Sequence, residues 1–378
     1  MSADSRPIFY EFFAGGGMVR AGLGPDWRCA FANDIDPVKA RAYADNWGDE
    51  DLHLGDIHAL SSADLPGRAD LAWASFPCQD LSLAGARGGL GAARSSAFYG
   101  FQSLIAGLMR EGRSPDMLAI ENVVGLASSS GGADFTALCQ ALEGVGYRFG
   151  ALEIDAACFL PQSRPRLFVI ALRADLRAPD ALTGPDEAGF LTSRVAAARA
   201  RLPAQLAKNW IDWRLPDPPH RNARLIDIIE WDAPAHDDPQ RFLDMMAPAH
   251  LARIKAAQAE PGRQVGALFR RMRDEAGVRV QRAEVRFDGL CGCLRTPSGG
   301  SSRQFVVLIE GEQVRIRAMT GRESARAMGL DESYRLPARE SAALHLTGDG
   351  VAAPVVAHLR EYLFEPLIAR RADLARAS

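Results

Sequence analysis

The feature that most constrains this chain is the series of short apolar segments in its first 172 residues, which are separated by amphipathic stretches. Such alternation is typical of a parallel β-sheet whose strands are joined by crossover helices. The candidate strands are 8–12, 29–33, 52–54, 71–75, 117–120 and 167–172. The sequence therefore predicts an α/β fold with a Rossmann-like, doubly wound and mostly parallel sheet.

The first five candidate strands each end on a cluster of glycine or polar residues. These clusters are 13–17, 34–36, 55–57, 76–79 and 121–123. In an open parallel sheet, ligands bind beyond the carboxyl ends of the strands. We therefore expect the five clusters to lie along one edge and to contain the residues of a binding site.

The first three clusters favour a nucleoside cofactor. Glycines 15 to 17 let the backbone and a helix N-terminus approach a ligand. Asp34 ends the next strand, where a carboxylate can accept hydrogen bonds from ribose hydroxyls, and Asp56 ends the third, where it can accept from an adenine amino group. A tight turn for the glycines and helix caps for the aspartates are the alternatives. Their joint position on one edge favours the cofactor.

The fourth and fifth clusters each contain a reactive group. Cys78 leaves its strand at a turn fixed by Pro77 and precedes the glycine-rich stretch 84–91. This setting favours an exposed thiol that a lid later covers, over the small buried hydrophobe that a lone cysteine usually is. Glu121 follows a buried apolar strand, where a carboxylate without a partner is costly. We therefore expect it to have a functional role.

The pattern changes after Arg173. Residues 174–250 are rich in proline, and we expect a loop-rich insertion with a helix near 192–206. Segments 304–309 and 313–317 alternate as antiparallel strands do, a helix follows at 321–328, and 351–370 is helical in period. The predicted domains are 1–172 plus 341–378, and a smaller, irregular, β-containing domain at 173–340.

The charge distribution and the cysteine content limit the classes of function that the chain can have. Residues 251–326 hold fifteen Lys and Arg against eight Asp and Glu, although the whole chain has a net charge of −3. This segment is either a phosphate-facing surface or an ordinary solvated one. The chain shows no leader, no apolar run of about 18 residues, and no cysteine spacing typical of zinc or disulfides. We expect a soluble intracellular protein without a metal site.

Six blocks of sequence together resemble one known family. Four of them are Phe12-Phe13-Ala14-Gly15-Gly16-Gly17, Phe76-Pro77-Cys78-Gln79 with Ser82, Glu121-Asn122-Val123, and Gln162-Ser163-Arg164-Pro165-Arg166. They stand in the order and approximate spacing of the cytosine-5 DNA methyltransferases. Residues 322–326 and 348–351 are similar to the last two blocks of that family. The resemblance covers the first 172 residues and roughly the final 90.

The resemblance implies that the chain methylates a flipped-out cytosine in a specific duplex DNA sequence. Cys78 would be the nucleophile and Glu121 would meet the charge at the ring nitrogen, its proton retained by burial. Arg166 would hold the cytosine carbonyl, with Arg164 as its companion on the same strand face. The chemistry needs such groups, because the 5-position of cytosine is a poor nucleophile until a thiolate has added to the neighbouring carbon.

The same resemblance implies contacts to S-adenosylmethionine and its product S-adenosylhomocysteine. Asp34 would bind the ribose, Asp56 the adenine amino group, and Ile35 and Ile57 the two faces of the adenine. The other implied cofactor contacts are Phe13, Ala14, Gly15, Gly17, Pro77, Ala97, Asp349, Gly350 and Val351. The expected DNA contacts are Gln79, Ser82, Arg94, Arg295, Ser301 and Arg303. The last three lie in a glycine- and serine-rich loop, 295–303, whose alternative is a plain flexible turn.

Three positions depart from the family pattern. Met18 and Ser95 stand where glycine is usual, and Asp349 stands where asparagine is common, so like charge could weaken binding of the cofactor carboxylate. Three other functions remain as alternatives: adenine methylation through residues 217–220 (Asp-Pro-Pro-His), cytosine methylation of transfer RNA, and DNA binding without catalysis. We expect a cytoplasmic, nucleoid-associated monomer that does not bind membranes, with a restriction endonuclease acting on the same site as a further possible partner.

Overall fold

The computed structural model describes residues 5–77, 97–185, 187–235, 238–296 and 303–370. The chain divides into two compact units. Unit 1 is drawn from residues 1–154, 165–218 and 353–378, and unit 2 from residues 155–164 and 219–352. In the described ranges no helix is long and apolar enough to cross a membrane.

Unit 1 is built on a seven-stranded sheet. Its strands are β1 (Ile8–Phe12), β2 (Arg28–Asp34), β3 (Leu52–Leu54), β4 (Leu71–Ala74), β5 (Met117–Val123), β6 (Tyr147–Asp155) and β7 (Pro165–Arg173). They lie in the order β3-β2-β1-β4-β5-β7-β6. The first five run parallel, and β7 runs antiparallel to β5. The predicted doubly wound, mostly parallel sheet is therefore confirmed.

Helices flank this sheet because each buries an apolar face on it. They are α1 (Met18–Leu23), α2 (Pro37–Trp47), α3 (Ala97–Arg110), α4 (Ala133–Gly144), α5 (Ser193–Ala200) and α6 (Ala204–Ala207). Phe12 of β1 meets Phe31 of β2 and Phe101 of α3, with ring centroids 5.7 and 5.2 Å apart. These aromatic contacts fix the carboxyl end of β1 against its neighbours.

Unit 2 contains a four-stranded antiparallel sheet in the order β11-β10-β8-β9. The strands are β8 (Arg263–Glu275), β9 (Val278–Arg286), β10 (Phe305–Glu310) and β11 (Gln313–Ala318). The helices after residue 218 are α7 (Pro239–Asp244), α8 (Pro248–Ala259), α9 (Gly321–Ala327), α10 (Glu340–Asp349) and α11 (Ala353–Leu359), the last in unit 1. Phe242, Leu268 and Phe305 belong to the apolar core of unit 2.

Residues 173–218 cluster with unit 1, although the sequence pattern assigned them to the second domain. The backbone of Ile211 donates to the carbonyl of Phe149 at 2.7 Å, and Phe149 donates to the carbonyl of Asn209 at 2.9 Å. Gly150 permits this approach, because a Cβ there would lie 2.0 Å from the Ile211 oxygen. The chain after β7 therefore packs along β6.

Candidate active site

The glycine loop after β1 is held by the end of β2. The backbone N–H of Ala14 donates to the carbonyl of Asn33 at 2.9 Å, and that of Gly15 donates to Oδ2 of Asp34 at 2.8 Å. Gly17 has φ +76°, and a Cβ there would lie 2.4 Å from Nε1 of Trp47. A side chain at position 17 would therefore be both strained and obstructed.

Phe13 begins this loop with φ +59°, a left-handed conformation that a residue with a side chain rarely adopts. Its half-buried ring lies 6.4 Å from the ring of Phe76, which follows β4. Strain of this kind persists only where the surroundings enforce it, and it concentrates at functional sites. The strained residue thus lies at the carboxyl ends of the strands, where the sequence predicted a binding site.

The acidic residues after β2 and β3 lie on this edge. Asp34 is buried, and its Oδ1 accepts the N–H of Asp36 at 2.8 Å, so the carboxylate also orders the glycine loop. Each carboxylate oxygen has two lone pairs, which leaves acceptor capacity for a ligand hydroxyl. Asp56 is exposed and its Oδ1 caps a short helical turn by accepting the N–H of His58 at 2.9 Å. The helix-cap role considered for Asp56 is therefore present.

Two isoleucines adjoin these carboxylates with very different exposure. Ile35 is 67% exposed and Ile57 is 4% exposed. A large apolar side chain left in solvent beside a carboxylate is suited to cover a flat, partly polar ligand such as a purine nucleoside. The residues at this edge therefore fit the nucleoside part of the proposed cofactor.

The segment that leads to Cys78 is fixed by β5. Nδ2 of Asn122 donates to the carbonyl of Phe76 at 3.0 Å, and the Phe76 ring packs on that of Phe98 at 5.1 Å. Pro77 is exposed, and Ala97 is a half-buried residue at the start of α3. Cys78 itself, and with it Gln79, Ser82 and Arg94, lies outside the described residues. The structure therefore gives the position of the backbone up to Pro77, the residue that precedes the predicted nucleophile.

Glu121 and Arg166 form an ion pair, with 3.0 Å between Oε1 of Glu121 and Nε of Arg166. Their side chains are 8% and 14% exposed. The antiparallel register pairs Arg166 with Val123, so Arg166 and Glu121 lie on the same face of the sheet. Since β7 starts where β5 ends, the pair stands at the carboxyl ends of the parallel strands, beside the segment that leads to Cys78.

Arg164 does not share the strand of Arg166, contrary to the expectation from their two-residue spacing. The strand begins at Pro165, and Arg164 belongs to unit 2. Arg164 is 2% exposed, and its guanidinium donates to the carbonyls of Leu294, Gly348 and Gly350. These hydrogen bonds hold Arg164 within unit 2.

The remaining predicted residues that the structure describes lie in unit 2. Asp349 is exposed and accepts a hydrogen bond from the hydroxyl of Thr296, while Val351 is buried. Arg295 and Arg303 are exposed, and Ser301 lies outside the described residues.

No cluster of three or more His, Cys, Asp or Glu residues able to hold a metal occurs in the described part of the chain. Residues 217–220 are irregular and follow no strand.

Sequence reasoning missed Glu11, a buried carboxyl near the glycine loop. It is 1% exposed, and neither of its oxygens makes a hydrogen bond of normal geometry to the described residues. Burial raises the pKa of Glu11 to about 8, while nearby Arg20 and the backbone N–H groups of Val19 and Arg20 lower it less. The signal was visible as one acidic residue inside the apolar strand Ile8–Phe12.

Comparison with known proteins decides the class of enzyme. A family model described as C-5 cytosine-specific DNA methylase matches residues 8–365. The chain belongs to that family. This methylase is 26% identical over 361 residues to the Type II methyltransferase M1.ScrFI of Lactococcus lactis subsp. cremoris, covering 94% of this chain and 78% of the relative. It is 25% identical to M.NlaX of Neisseria lactamica, covering 93% and 95% of the two chains.

Solved structures support the fold. The S. pombe Dnmt2 methyltransferase has a TM-score of 0.59 and 19% identity, covering 96% of the methylase and 99% of that chain. The Entamoeba histolytica methyltransferase EhMeth has a TM-score of 0.55 and 15% identity over 96% and 99%. The family match, which spans residues 8–365, makes the methylase a DNA (cytosine-5) methyltransferase that uses S-adenosylmethionine, as the sequence blocks predicted.

Proposed function

We propose that this methylase acts on a cytosine flipped out of duplex DNA, through a covalent bond between Cys78 and the base. The observation that carries the proposal is the Glu121–Arg166 pair, which stands at the end of β5 beside the segment leading to Cys78. A target atom inside a base pair cannot be reached by a side chain, so the nucleotide must leave the helix before reaction.

The proposed chemistry assigns one step to each group. The Cys78 thiolate adds to carbon 6 of the cytosine, a C–S bond forms, and the displaced electron pair is met by a proton from Glu121 at N3. Arg166 supports that transfer by pairing with Glu121 and by donating to the carbonyl oxygen of the base. Once carbon 5 has accepted the methyl group, a base removes the proton on carbon 5, and those electrons form the C5–C6 double bond as the sulfur leaves with the C–S electrons. N3 then returns its proton to Glu121.

S-adenosylmethionine supplies the electrophilic methyl group when it is bound. We assign its ribose to Asp34, its adenine to Asp56, Ile35 and Ile57, and its remaining contacts to Phe13, Ala14, Gly15, Gly17, Pro77 and Ala97. The exposed apolar surface of Ile35 beside the Asp34 carboxylate supports this assignment. Asp349, Gly350 and Val351 remain proposed contacts of the same cofactor.

The proposed substrate is a specific duplex sequence. Gln79, Ser82 and Arg94 are assigned to DNA near the nucleophile, and Arg295, Ser301 and Arg303 to base-edge and phosphate contacts. The similarity to Type II methyltransferases such as M1.ScrFI and M.NlaX supports a role beside a restriction endonuclease that cuts the same site. We propose a monomer that acts on the nucleoid in the cytoplasm.

A transfer assay with tritiated S-adenosylmethionine tests this function. We expect label in unmethylated duplex DNA, no label in transfer RNA, and a loss of at least about 10³-fold in rate for Cys78→Ser. Cys139→Ser is the matched control, because Cys139 is fully buried in the core and burial raises the pKa of its thiol. Label in RNA alone, or a Cys78→Ser variant as active as the wild type, would contradict the proposal.

Bisulfite sequencing of DNA from cells that express the methylase then identifies the target. A single recurring sequence around the methylated cytosines is the expected result. Scattered methylation without a shared sequence would remove the proposed recognition of a specific site.

A further inference from the structure

Arg164 is a buried hub in unit 2. Its Nη1 donates to the carbonyl of Leu294 at 2.8 Å and contacts Sγ of Cys293 at 3.5 Å. Its Nη2 donates to the carbonyls of Gly348 at 2.9 Å and Gly350 at 2.6 Å. A guanidinium carries four N–H bonds on these two nitrogens, so each has an acceptor within the protein. The Nη groups are thus occupied by three backbone carbonyls and one thiol sulfur of the protein.

The two stretches of chain to which Arg164 is hydrogen-bonded also contact each other directly. We call residues 294–296 the Arg295 segment and residues 348–350 the Gly348 segment. A Cβ at Gly348 would lie 2.6 Å from the carbonyl carbon of Arg295 and 2.7 Å from the nitrogen of Thr296. Only glycine therefore allows the two backbones to approach this closely.

Side chains strengthen the same contact. The hydroxyl of Thr296 donates to Oδ1 of Asp349. Gln162, which is fully buried, accepts the N–H of Leu294 at 3.1 Å and donates to the carbonyl of Ala327 at 2.7 Å. Four independent contacts, from Arg164, Gly348, Thr296 and Gln162, thus hold the Arg295 segment.

We infer that Arg164 and Thr296 are positioning residues that couple cofactor binding to DNA binding. The inference rests on the proposed function, which assigns Asp349 and Gly350 to the cofactor and Arg295 to DNA. A ligand that engages the Asp349 carboxylate changes the acceptor available to Thr296, and Thr296 is bonded directly to Arg295. Each ligand therefore biases the conformation that the other binds, and the effect is reciprocal.

Equilibrium binding tests the inference. The dissociation constant of S-adenosylhomocysteine is measured by calorimetry on the full chain, alone and with a saturating duplex that carries the site found by bisulfite sequencing. For the wild type we expect the duplex to tighten binding by about tenfold. Thr296→Val should reduce this factor to about twofold or less, because the bond to Asp349 is lost while the side-chain volume is kept.

Thr136→Val is the matched control. Its hydroxyl donates to the carbonyl of Gly132 at 3.0 Å in unit 1, and it is half-buried like Thr296. This control should keep the wild-type factor. Arg164→Lys keeps the charge but loses the planar fork, and it should lose the coupling as well as raise KM for DNA more than it lowers kcat.

The outcomes separate the two proposals. A wild type that methylates DNA without any coupling, or a Thr296→Val variant that keeps the full coupling, would overturn the inference and leave the proposed function intact. A wild type that shows no methyl transfer to DNA would overturn the proposed function, and the inference with it. If Arg164→Lys does not fold, Thr296→Val and its control still test the inference.

Discussion

Each unit of this methylase contains a buried arginine–glutamate pair, and the two pairs differ in what surrounds them. In unit 2, Arg317 and Glu323 have side chains 2% and 0% exposed. The Glu323 carboxylate accepts from Arg317, from the N–H of Thr320 at 2.9 Å and from the N–H of Glu230 at 2.8 Å. That pair joins β11 to the start of α9 and is enclosed by partners.

The pair in unit 1 lies at the end of its strands and stays partly accessible. Among the described residues, the one polar contact seen for the Glu121 carboxylate is Nε of Arg166 at 3.0 Å. A buried carboxyl with all its acceptors occupied serves structure, whereas one with hydrogen-bonding capacity left at the ligand-binding ends of the strands is available for chemistry. The surroundings of the two pairs, rather than the pairing itself, distinguish their roles.

The largest expected effect comes from Glu121→Gln. The amide keeps the shape of the side chain but cannot deliver a proton, so we expect kcat to fall by about 10²- to 10⁴-fold. The melting temperature should change by a few degrees at most, because the pair lies at the carboxyl ends of the strands and stays partly accessible to solvent. Tritium transfer and thermal unfolding measure the two effects. Activity within threefold of the wild type would contradict the catalytic role of Glu121 and the proposed difference between the two pairs.

The second effect, Glu323→Gln, should appear in stability. Removing one partner leaves the Arg317 charge buried and uncompensated, which costs about 3–5 kcal/mol in free energy of unfolding. Urea denaturation measures this cost. Glu332→Gln is the control, because that residue is 64% exposed in its pair with Arg326 and such pairs contribute less than about 1 kcal/mol. Equal costs for the two variants would contradict the structural role of Glu323.

A pH-dependent effect is expected from Glu11, whose buried carboxyl makes no hydrogen bond of normal geometry to the described residues. Its pKa is about 8 in the fold and about 4.5 when exposed. Between these values the folded chain retains a proton that the unfolded chain has lost, so stability falls as pH rises through this window and levels off above pH 8. The difference of about 3.5 pKa units corresponds to roughly 5 kcal/mol of stability lost across this window.

Glu11→Gln should remove this part of the pH dependence. Free energies of unfolding at pH 5, 6.5 and 8.5 should therefore show the variant gaining on the wild type as pH rises. The exposed Glu50→Gln should follow the wild type throughout. A variant curve parallel to the wild-type curve would show that Glu11 is charged in the fold and paired in some other way.

The sequence predicted the parallel strands closely, because buried strands of this class are apolar runs that end on glycine or acidic residues. Strands β1 and β3 match the expected bounds, and β2, β4 and β5 differ by a few residues. The proposed site residues Asp34 and Glu121 lie at the ends of two of these strands, as the same pattern indicated. Local pattern is enough where a strand is buried on both faces and its end carries the chemistry.

The other strands depend on long-range packing, which the pattern does not contain. Strand β6 was missed because Arg148, Gly150 and Glu153 interrupt its apolar run. Strand β8 was missed because its outer half, from Arg270 to Glu275, is largely charged. The antiparallel direction of β7, which brings Arg166 to Glu121, and the placement of Arg164 in unit 2 follow from contacts distant in sequence.

The most direct test of the central claim uses DNA that carries 5-fluorocytosine at the target site, where fluorine blocks removal of the final proton. With S-adenosylmethionine present, the account predicts a complex between methylase and DNA that survives denaturing electrophoresis and is absent for Cys78→Ser. Failure of the wild type to form this complex on DNA that it otherwise methylates would contradict covalent catalysis by Cys78.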